Sequence, residues 1–282
     1  MTDRGFAQFD GKVAFITGAA RGQGRAHAVR FAEEGADIIA FDLCNQMSSV
    51  PYPLATPEDL DETVNLVEKT GRRVVAEQGD VRDFERLKAA VVNGVAALGR
   101  VDFVLANAGV LPIAEDEADD DVAKYVDAID VLLNGVYYTI EAALPALVDH
   151  GDGGAIVITS STAGLTGLCP GYDELAHGFA GYQAAKHGVV GLMRYYAKAL
   201  AEKNIRVNTV HPTGVATPML INDFAEQYFG THPRTLSAFE NLLPVQLIDA
   251  SDVSEAMVYL CGKSGRYITG ITLPVDAGLT AK

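Results

Sequence analysis

Short apolar, often β-branched runs at residues 12–17, 37–41, 73–78, 101–107, 155–159, 206–211 and 272–275 alternate with longer segments of helical character. Each run has the length of a strand, and strands separated by helices are joined by crossovers rather than hairpins. Every connection then covers the sheet it crosses, so the strands run parallel and right-handed crossovers wind helices onto both faces. The near-continuous apolar character of the runs fits strands buried on both sides. At 282 residues, 49 % of them hydrophobic, the chain is able to bury a full core. The expectation is an α/β fold, a single domain over residues 1–282 built on a doubly wound, seven-stranded parallel sheet.

Two stretches interrupt the rhythm. Residues 43–57 are rich in Pro, Ser and Asn and stand where a tight strand-to-helix turn is expected, so they read as an insertion. Residues 213–244 carry Pro218, Pro233 and Pro244 among aromatics and predict short helices over a cleft, the kind of segment that serves as a substrate lid.

Charge and cysteine usage narrow the partners. A formal net charge of -15, spread along the chain, opposes binding to nucleic-acid phosphates or anionic lipid. Cys44, Cys169 and Cys261 are far apart and form no CxxC pair, so neither a disulfide framework nor a metal site is expected. His27, His150, His177, His187, His211 and His232 show no pairing with carboxylates or cysteines, and read as surface or supporting residues. Residues 1–11 lack a basic-then-apolar leader, and no apolar stretch is expected to reach the ~20 residues of a spanning helix. The expected location is the cytoplasm. The acidic run 116–121 reads as a solvated helix N-terminus.

The first strand runs directly into Gly18-Ala19-Ala20-Arg21-Gly22-Gln23-Gly24, and a helix carrying Ala26, Val29 and Phe31 follows. Glycines there let the backbone turn tightly and approach a pyrophosphate, whose charge is favoured by the free N–H groups at the helix start. A glycine turn is also a plain structural element. Its partner is Asp42, at the end of the second strand with Leu43 beside it, about 20 residues past the glycines. A carboxylate there accepts hydrogen bonds from both adenosine ribose hydroxyls and repels a 2′-phosphate, which selects NAD over NADP; the alternative reading of Asp42 is a turn cap. Arg21 is the one residue of the turn suited to a 2′-phosphate. The architecture this implies is a Rossmann fold.

Tyr182-Gln183-Ala184-Ala185-Lys186 opens a helical segment and puts the phenol and the amine on one face. A nearby ammonium is expected to lower the phenol's pKa, so that Tyr182 exchanges a proton with an alcohol or ketone oxygen while a nicotinamide exchanges the hydride. Spacing alone decides nothing, because Tyr259 and Lys263 repeat it. Position does: Tyr182 follows the strand ending at Ser160 and Ser161, at the binding edge of a parallel sheet, whereas Tyr259 ends a late helix and reads as packing. No metal enters this chemistry.

In these motifs the chain resembles the short-chain dehydrogenase/reductase family over nearly its whole length. By that resemblance Asn107-Ala108-Gly109 supports the central sheet beside adenosine, and Asp80 and Val81 flank the adenine. The resemblance also groups Asn134, Ser161, Tyr182 and Lys186 as a catalytic tetrad: Ser161 donates to the reacting oxygen, Lys186 holds the nicotinamide ribose, and Asn134 holds a proton-relaying water through its helix backbone. From the residues alone Ser160 and Ser161 are interchangeable, either one able to cap a turn, and Asn134 reads equally as a polar residue kinking a helix. The segment from His211 to Met219 resembles the region that fixes the nicotinamide amide, bringing in Pro212, Val215 and Thr217, although Thr213 separates Pro212 from Gly214.

Residues 18–27 and 52–60, with the insertion after Asp42, further resemble the carveol-dehydrogenase-like, mycofactocin-associated branch. That resemblance implies a small apolar secondary alcohol or ketone, terpenoids such as carveol among them, a tightly bound NAD recycled by an external redox partner of mycofactocin type, and a homotetramer. Leu165, Leu168, Phe179, Met219, Leu220 and Phe224 are the candidates for an apolar pocket, or equally for core. Two rival functions are an NAD-dependent epimerase or dehydratase, disfavoured by the short chain after the sixth strand, and a non-catalytic NAD-sensing protein, disfavoured by the complete tetrad.

Overall fold

The computed structural model describes residues 7–113, 122–168 and 171–282; the acidic run 116–121 and Cys169 lie outside the described residues. In chain order the main elements are β1 (Val13–Thr17), α1 (Gly22–Glu33), β2 (Asp37–Asp42), α2 (Pro57–Lys69), β3 (Val74–Gln78), α3 (Phe84–Leu98) and β4 (Phe103–Ala106). There follow α4 (Val122–Ile129), a π turn (Asp130–Asn134), α5 (Gly135–Asp149), β5 (Gly154–Thr159), α6 (His177–Ala199) and β6 (Ile205–Pro212). The chain closes with α7 (Asp223–Thr231), α8 (Pro233–Ala238), α9 (Ala250–Cys261) and β7 (Thr272–Val275). The seven strands form one parallel sheet in the order β3-β2-β1-β4-β5-β6-β7, each within two residues of its expected bounds.

Side chains alternate across a strand, and the two faces of the sheet accordingly hold different halves of the core. Ala14, Ile16, Ile38, Ala40, Leu105 and Val157 pack with Ala28 and Phe31 of α1 and Met257 of α9. Their neighbours Phe15, Ile39, Val104 and Ile156 belong to the opposite cluster, with Leu87 of α3, Ile140 of α5 and Met193 of α6. Strand order reverses between β1 and β4, so helices leave in opposite directions and a crevice opens beyond the carboxyl ends of the strands.

Three expectations change. The buried stripe of α1 is Gly24, His27, Ala28, Phe31 and Ala32, with Ala26 and Val29 only half-buried. His27, far from the surface, is wedged between α1 and α9 with Nδ1 2.7 Å from Ser254 Oγ. The third concerns the helical run Val122–Asp149, whose 28 residues include an 18-residue window of mean hydropathy 1.4 and are long and apolar enough to cross a membrane. Half of that apolar window is buried inside the fold, where α4 packs on α6 and α5 on α3, which accounts for its composition.

Candidate functional site

The crevice begins at the glycine turn. Gly18 has φ +69 and lies so close to the next loop that a Cβ would meet Ala108 Cα at 2.8 Å; a Cβ on Gly24 would be driven into the Gly18 carbonyl. The turn therefore delivers α1 directly into the crevice. That helix has no side-chain cap and no acid in its first turn, in contrast to α2, which carries a full capping box of Thr56 and Asp59. Its donors and positive dipole end are left for an anionic ligand. Gln23 Oε1 is buried there without a partner, a polar atom in want of a donor. The uncapped helix start and the tight glycine turn fit a dinucleotide pyrophosphate, while the Gln23 oxygen calls for a donor that a pyrophosphate does not carry.

Asp42 caps the turn and remains in the crevice wall, its carboxylate accepting from Ala20 N at 2.8 Å and Cys44 N at 3.2 Å. Burial pushes its pKa up and the two N–H bonds pull it down. Arg21 donates to the Pro53 carbonyl at 2.6 Å, so its guanidinium is engaged by the insertion. Asp80 holds Arg82 through both carboxylate oxygens, and Asn107 joins three strands by donating to Thr17 O and accepting from Thr159 Oγ.

The insertion is an ordered cover over this crevice. Gln46 organises it, donating to Met47 O, Val50 O and Tyr52 O and accepting from Leu54 N at 2.9 Å. Tyr52, 2 % exposed, reaches across to accept the Leu111 N–H at 2.9 Å, so its hydroxyl ties the insertion to the loop after β4. Cys44, Met47, Tyr52 and Leu54 join the crevice wall. Sequence reasoning placed the insertion beside Asp42 but had no signal for which side chain would anchor it.

Every residue expected at the cofactor lines this crevice except Pro212 and Val215, which line an adjoining cavity. They sit at the end of β6 and just beyond it, on the far side of Thr217, which touches both spaces. The second cavity, about 560 Å³, is walled by Leu111, Phe179, Met219, Leu220, Phe229 and Phe239, with α7 and α8 beside it. Of the candidate pocket residues, Phe179, Met219 and Leu220 face it; Leu168 and Phe224 are instead core, and Leu165 does not line it. Phe179 stacks on Tyr182, ring centroids 6.3 Å apart and planes 11° from parallel.

Tyr182 lines both spaces. Lys186, 4 % exposed, donates to Thr159 O at 2.7 Å and places its amine 5.5 Å from the centre of the Tyr182 ring. The expected lowering of the phenol's pKa does not occur: burial raises it, opposed by a hydrogen bond with Ser161. The charged amine suffers the same desolvation, which lowers the Lys186 pKa to about 7. The two serines separate clearly. Ser160 Oγ donates to Lys186 O at 2.9 Å and is used up in joining β5 to α6. Ser161 Oγ accepts from Ala163 N at 3.1 Å and keeps its O–H for the Tyr182 phenol, and it lines the second cavity.

Asn134 lines neither space; it ends the π turn, and its amide donates to Asp130 Oδ1 at 2.8 Å. Tyr259 is 42 % exposed, a surface residue rather than a packing one, and it too is absent from both walls. Among the described residues no three His, Cys, Asp or Glu side chains are grouped to hold a metal.

Two spaces that meet at a phenol, one shaped for a dinucleotide and the other apolar, place the protein among the Rossmann-fold oxidoreductases. The family model described as enoyl-(acyl carrier protein) reductase matches residues 18–280. An uncharacterised oxidoreductase of Mycobacterium tuberculosis is 53 % identical, covering 97 % of this chain and 97 % of that one. The (-)-trans-carveol dehydrogenase of Rhodococcus erythropolis is 44 % identical, covering 98 % of this chain and 100 % of its own. A crystal structure of carveol dehydrogenase from Mycobacterium avium in complex with NAD superposes with a TM-score of 0.89 at 46 % identity, covering 98 % and 99 % of the two chains. The chain belongs to the short-chain dehydrogenase/reductase family.

Proposed function

We propose that this protein is an NAD-dependent alcohol dehydrogenase interconverting a small apolar secondary alcohol, of the terpenoid kind, and its ketone. The observation that carries the reading is the placement of Tyr182 at the junction of the polar crevice and the apolar cavity. Carveol dehydrogenase names among the relatives support the substrate class, and the NAD complex supports the cofactor.

NAD supplies a hydride acceptor for the carbinol carbon. The chain's own residues do the rest. Gly18, Gly22, Gln23 and Gly24 hold the pyrophosphate at the start of α1, and Asp42 holds the adenosine ribose. Ser161, beside the Tyr182 phenol, donates its O–H to the reacting oxygen and stabilises the charge that develops there. Tyr182 transfers the proton: its raised pKa keeps the phenol protonated, the state that serves ketone reduction. In alcohol oxidation that proton must leave first, and Lys186, titrating at about 7, is placed to take part in its removal. Asn134 supports the water of this relay from the π turn.

The bonds Tyr52–Leu111 and Arg21–Pro53 close the insertion over the crevice and support slow NAD release, with reoxidation in place by an external redox partner. Exposed Val126, Tyr137 and Tyr195 on α4, α5 and α6 support assembly into a homotetramer. The test is to denature protein purified without added cofactor, assay the released NAD, and screen secondary alcohols with an artificial electron acceptor. Released NAD and oxidation of apolar alcohols are expected. Absence of NAD overturns the retention, and failure to oxidise any secondary alcohol, with NAD added as well, overturns the function.

A further inference from the structure

His211 is fully buried at the end of β6 and plays no part in the mechanism above. The β5–β6 ladder ends at the pair Thr159 and Val210, with Ser160 N–H donating to Val210 O at 2.9 Å. β6 ends at Pro212, which has no N–H to continue the ladder. The imidazole of His211 takes that place, with Nδ1 2.7 Å from Ser161 O. The same carbonyl accepts Gly164 N–H at 2.9 Å, so the Ser161 peptide is gripped from both the sheet and the turn that follows.

We infer that His211 is a positioning residue: its neutral imidazole extends the sheet by one side-chain rung and fixes the Ser161 peptide, and through it the hydroxyl, at the mouth of the apolar cavity. A carbonyl only accepts, so Nδ1 carries the proton. Nε2 must then accept, and the Thr209 hydroxyl, 2.7 Å away, is the donor. The imidazole is thus satisfied on both sides in one tautomer. Burial, aided by nearby Lys186 and His187 against the opposing hydrogen bond to Ser161 O and the charge of Asp276, pushes its pKa down to about 4, so the neutral form holds across the working range. The hydroxyl, its rotamer set by the Ala163 N–H, moves with this peptide, and a displacement of about 1 Å at a reacting group costs on the order of 100-fold in rate.

The inference rests on the role given to Ser161, and the test separates the two. His211→Gln puts its amide near the Nε2 position and leaves Ser161 O without its donor, whereas His211→Asn puts an amide nitrogen where Nδ1 lies. With secondary alcohol and an artificial acceptor, His211→Gln is expected to lower kcat about 10- to 100-fold with KM and bound NAD changed less than about twofold, and His211→Asn to recover most of the loss. Wild-type kcat in His211→Gln, or equal losses in both variants tracking a fall in Tm and in bound NAD, overturns the inference. Ser161→Ala is the control: if it is inactive while His211→Gln is active, only the role of His211 fails, and if it is fully active the role of Ser161 fails as well. Should the buried substitutions prevent folding, ¹⁵N NMR of the wild-type histidines at pH 7 decides. A protonated Nδ1 with a bare Nε2 is expected, and the opposite tautomer or an imidazolium overturns the inference.

Discussion

Tyr52→Phe removes one oxygen and keeps the ring that fills the space beneath the insertion. Its hydroxyl accepts the Leu111 N–H at 2.9 Å, and Tyr52 and Leu111 are both buried, at 2 % and 8 % exposed. The substitution leaves no cavity, only a buried donor without an acceptor, which costs about 1–3 kcal/mol. Unfolding entropy of about 2.1 cal/mol/K per residue over 282 residues converts this to a fall in Tm of roughly 2–5 °C. The same bond spans the crevice, so if it breaks when NAD leaves, release accelerates by roughly 5- to 150-fold. Calorimetry reads the first effect, and exchange of retained NAD against labelled NAD reads the second. An unchanged Tm with unchanged exchange would refute the view that the insertion is latched through Tyr52.

The remaining predictions concern the turn, the acid, the serines and pH. Gly24→Ala is expected to abolish NAD binding, because its Cβ would occupy the Gly18 carbonyl; a titration showing normal affinity contradicts the geometry. Asp42→Ala should weaken NAD binding about 10-fold or more and lessen discrimination against NADP, and an unchanged preference in paired titrations would remove Asp42 from the ribose site. Ser160→Ala should lower Tm by breaking its bond to Lys186 O while Ser161→Ala lowers kcat; a reversed pattern in paired kinetics and melting sinks the assignment. His27 and His211 have pKa values lowered by burial, from 6.5 to about 3 and about 4, so between pH 6.5 and 4 the unfolded chain binds more protons than the folded one. Their contribution to stability is complete above 6.5 and is lost as pH falls through that window. Tm should therefore drop from pH 6.5 to 4, and His27→Gln should flatten the slope; the same slope in that variant would contradict the assignment.

The sheet was legible because each strand is a compact apolar run bounded by polar or glycine residues, and a parallel sheet buried on both sides demands such runs. The glycine turn was legible for the same kind of reason, since close backbone approach admits only glycine, and Asp42 was placed at the end of β2 by the strand pattern. Side-chain direction was not. Ser160 and Ser161 are adjacent in sequence, and only the packing of α6 against β5 shows that one hydroxyl is consumed by Lys186 O. His27 and His211 read as surface or supporting residues without a choice between the two, because burial of a histidine depends on partners far along the chain, Ser254 for the first and the Ser161 carbonyl for the second. The phenol of Tyr182 was expected to be acidified by Lys186, but desolvation raises the phenol's pKa and lowers the amine's, and what opposes it at Tyr182 is the hydrogen bond with Ser161. Val122–Asp149 misled in another way, since apolar character read along the chain does not reveal how the run is divided between helices α4 and α5 and the faces they bury.

Tyr182→Phe tests the central claim most directly. It keeps the ring stacked on Phe179 and removes only the group assigned to proton transfer. Measured as oxidation of a secondary alcohol with an artificial electron acceptor, activity should fall by about 100- to 10,000-fold while bound NAD stays at the wild-type level. Activity within about twofold of wild type, with NAD still bound, would contradict the account.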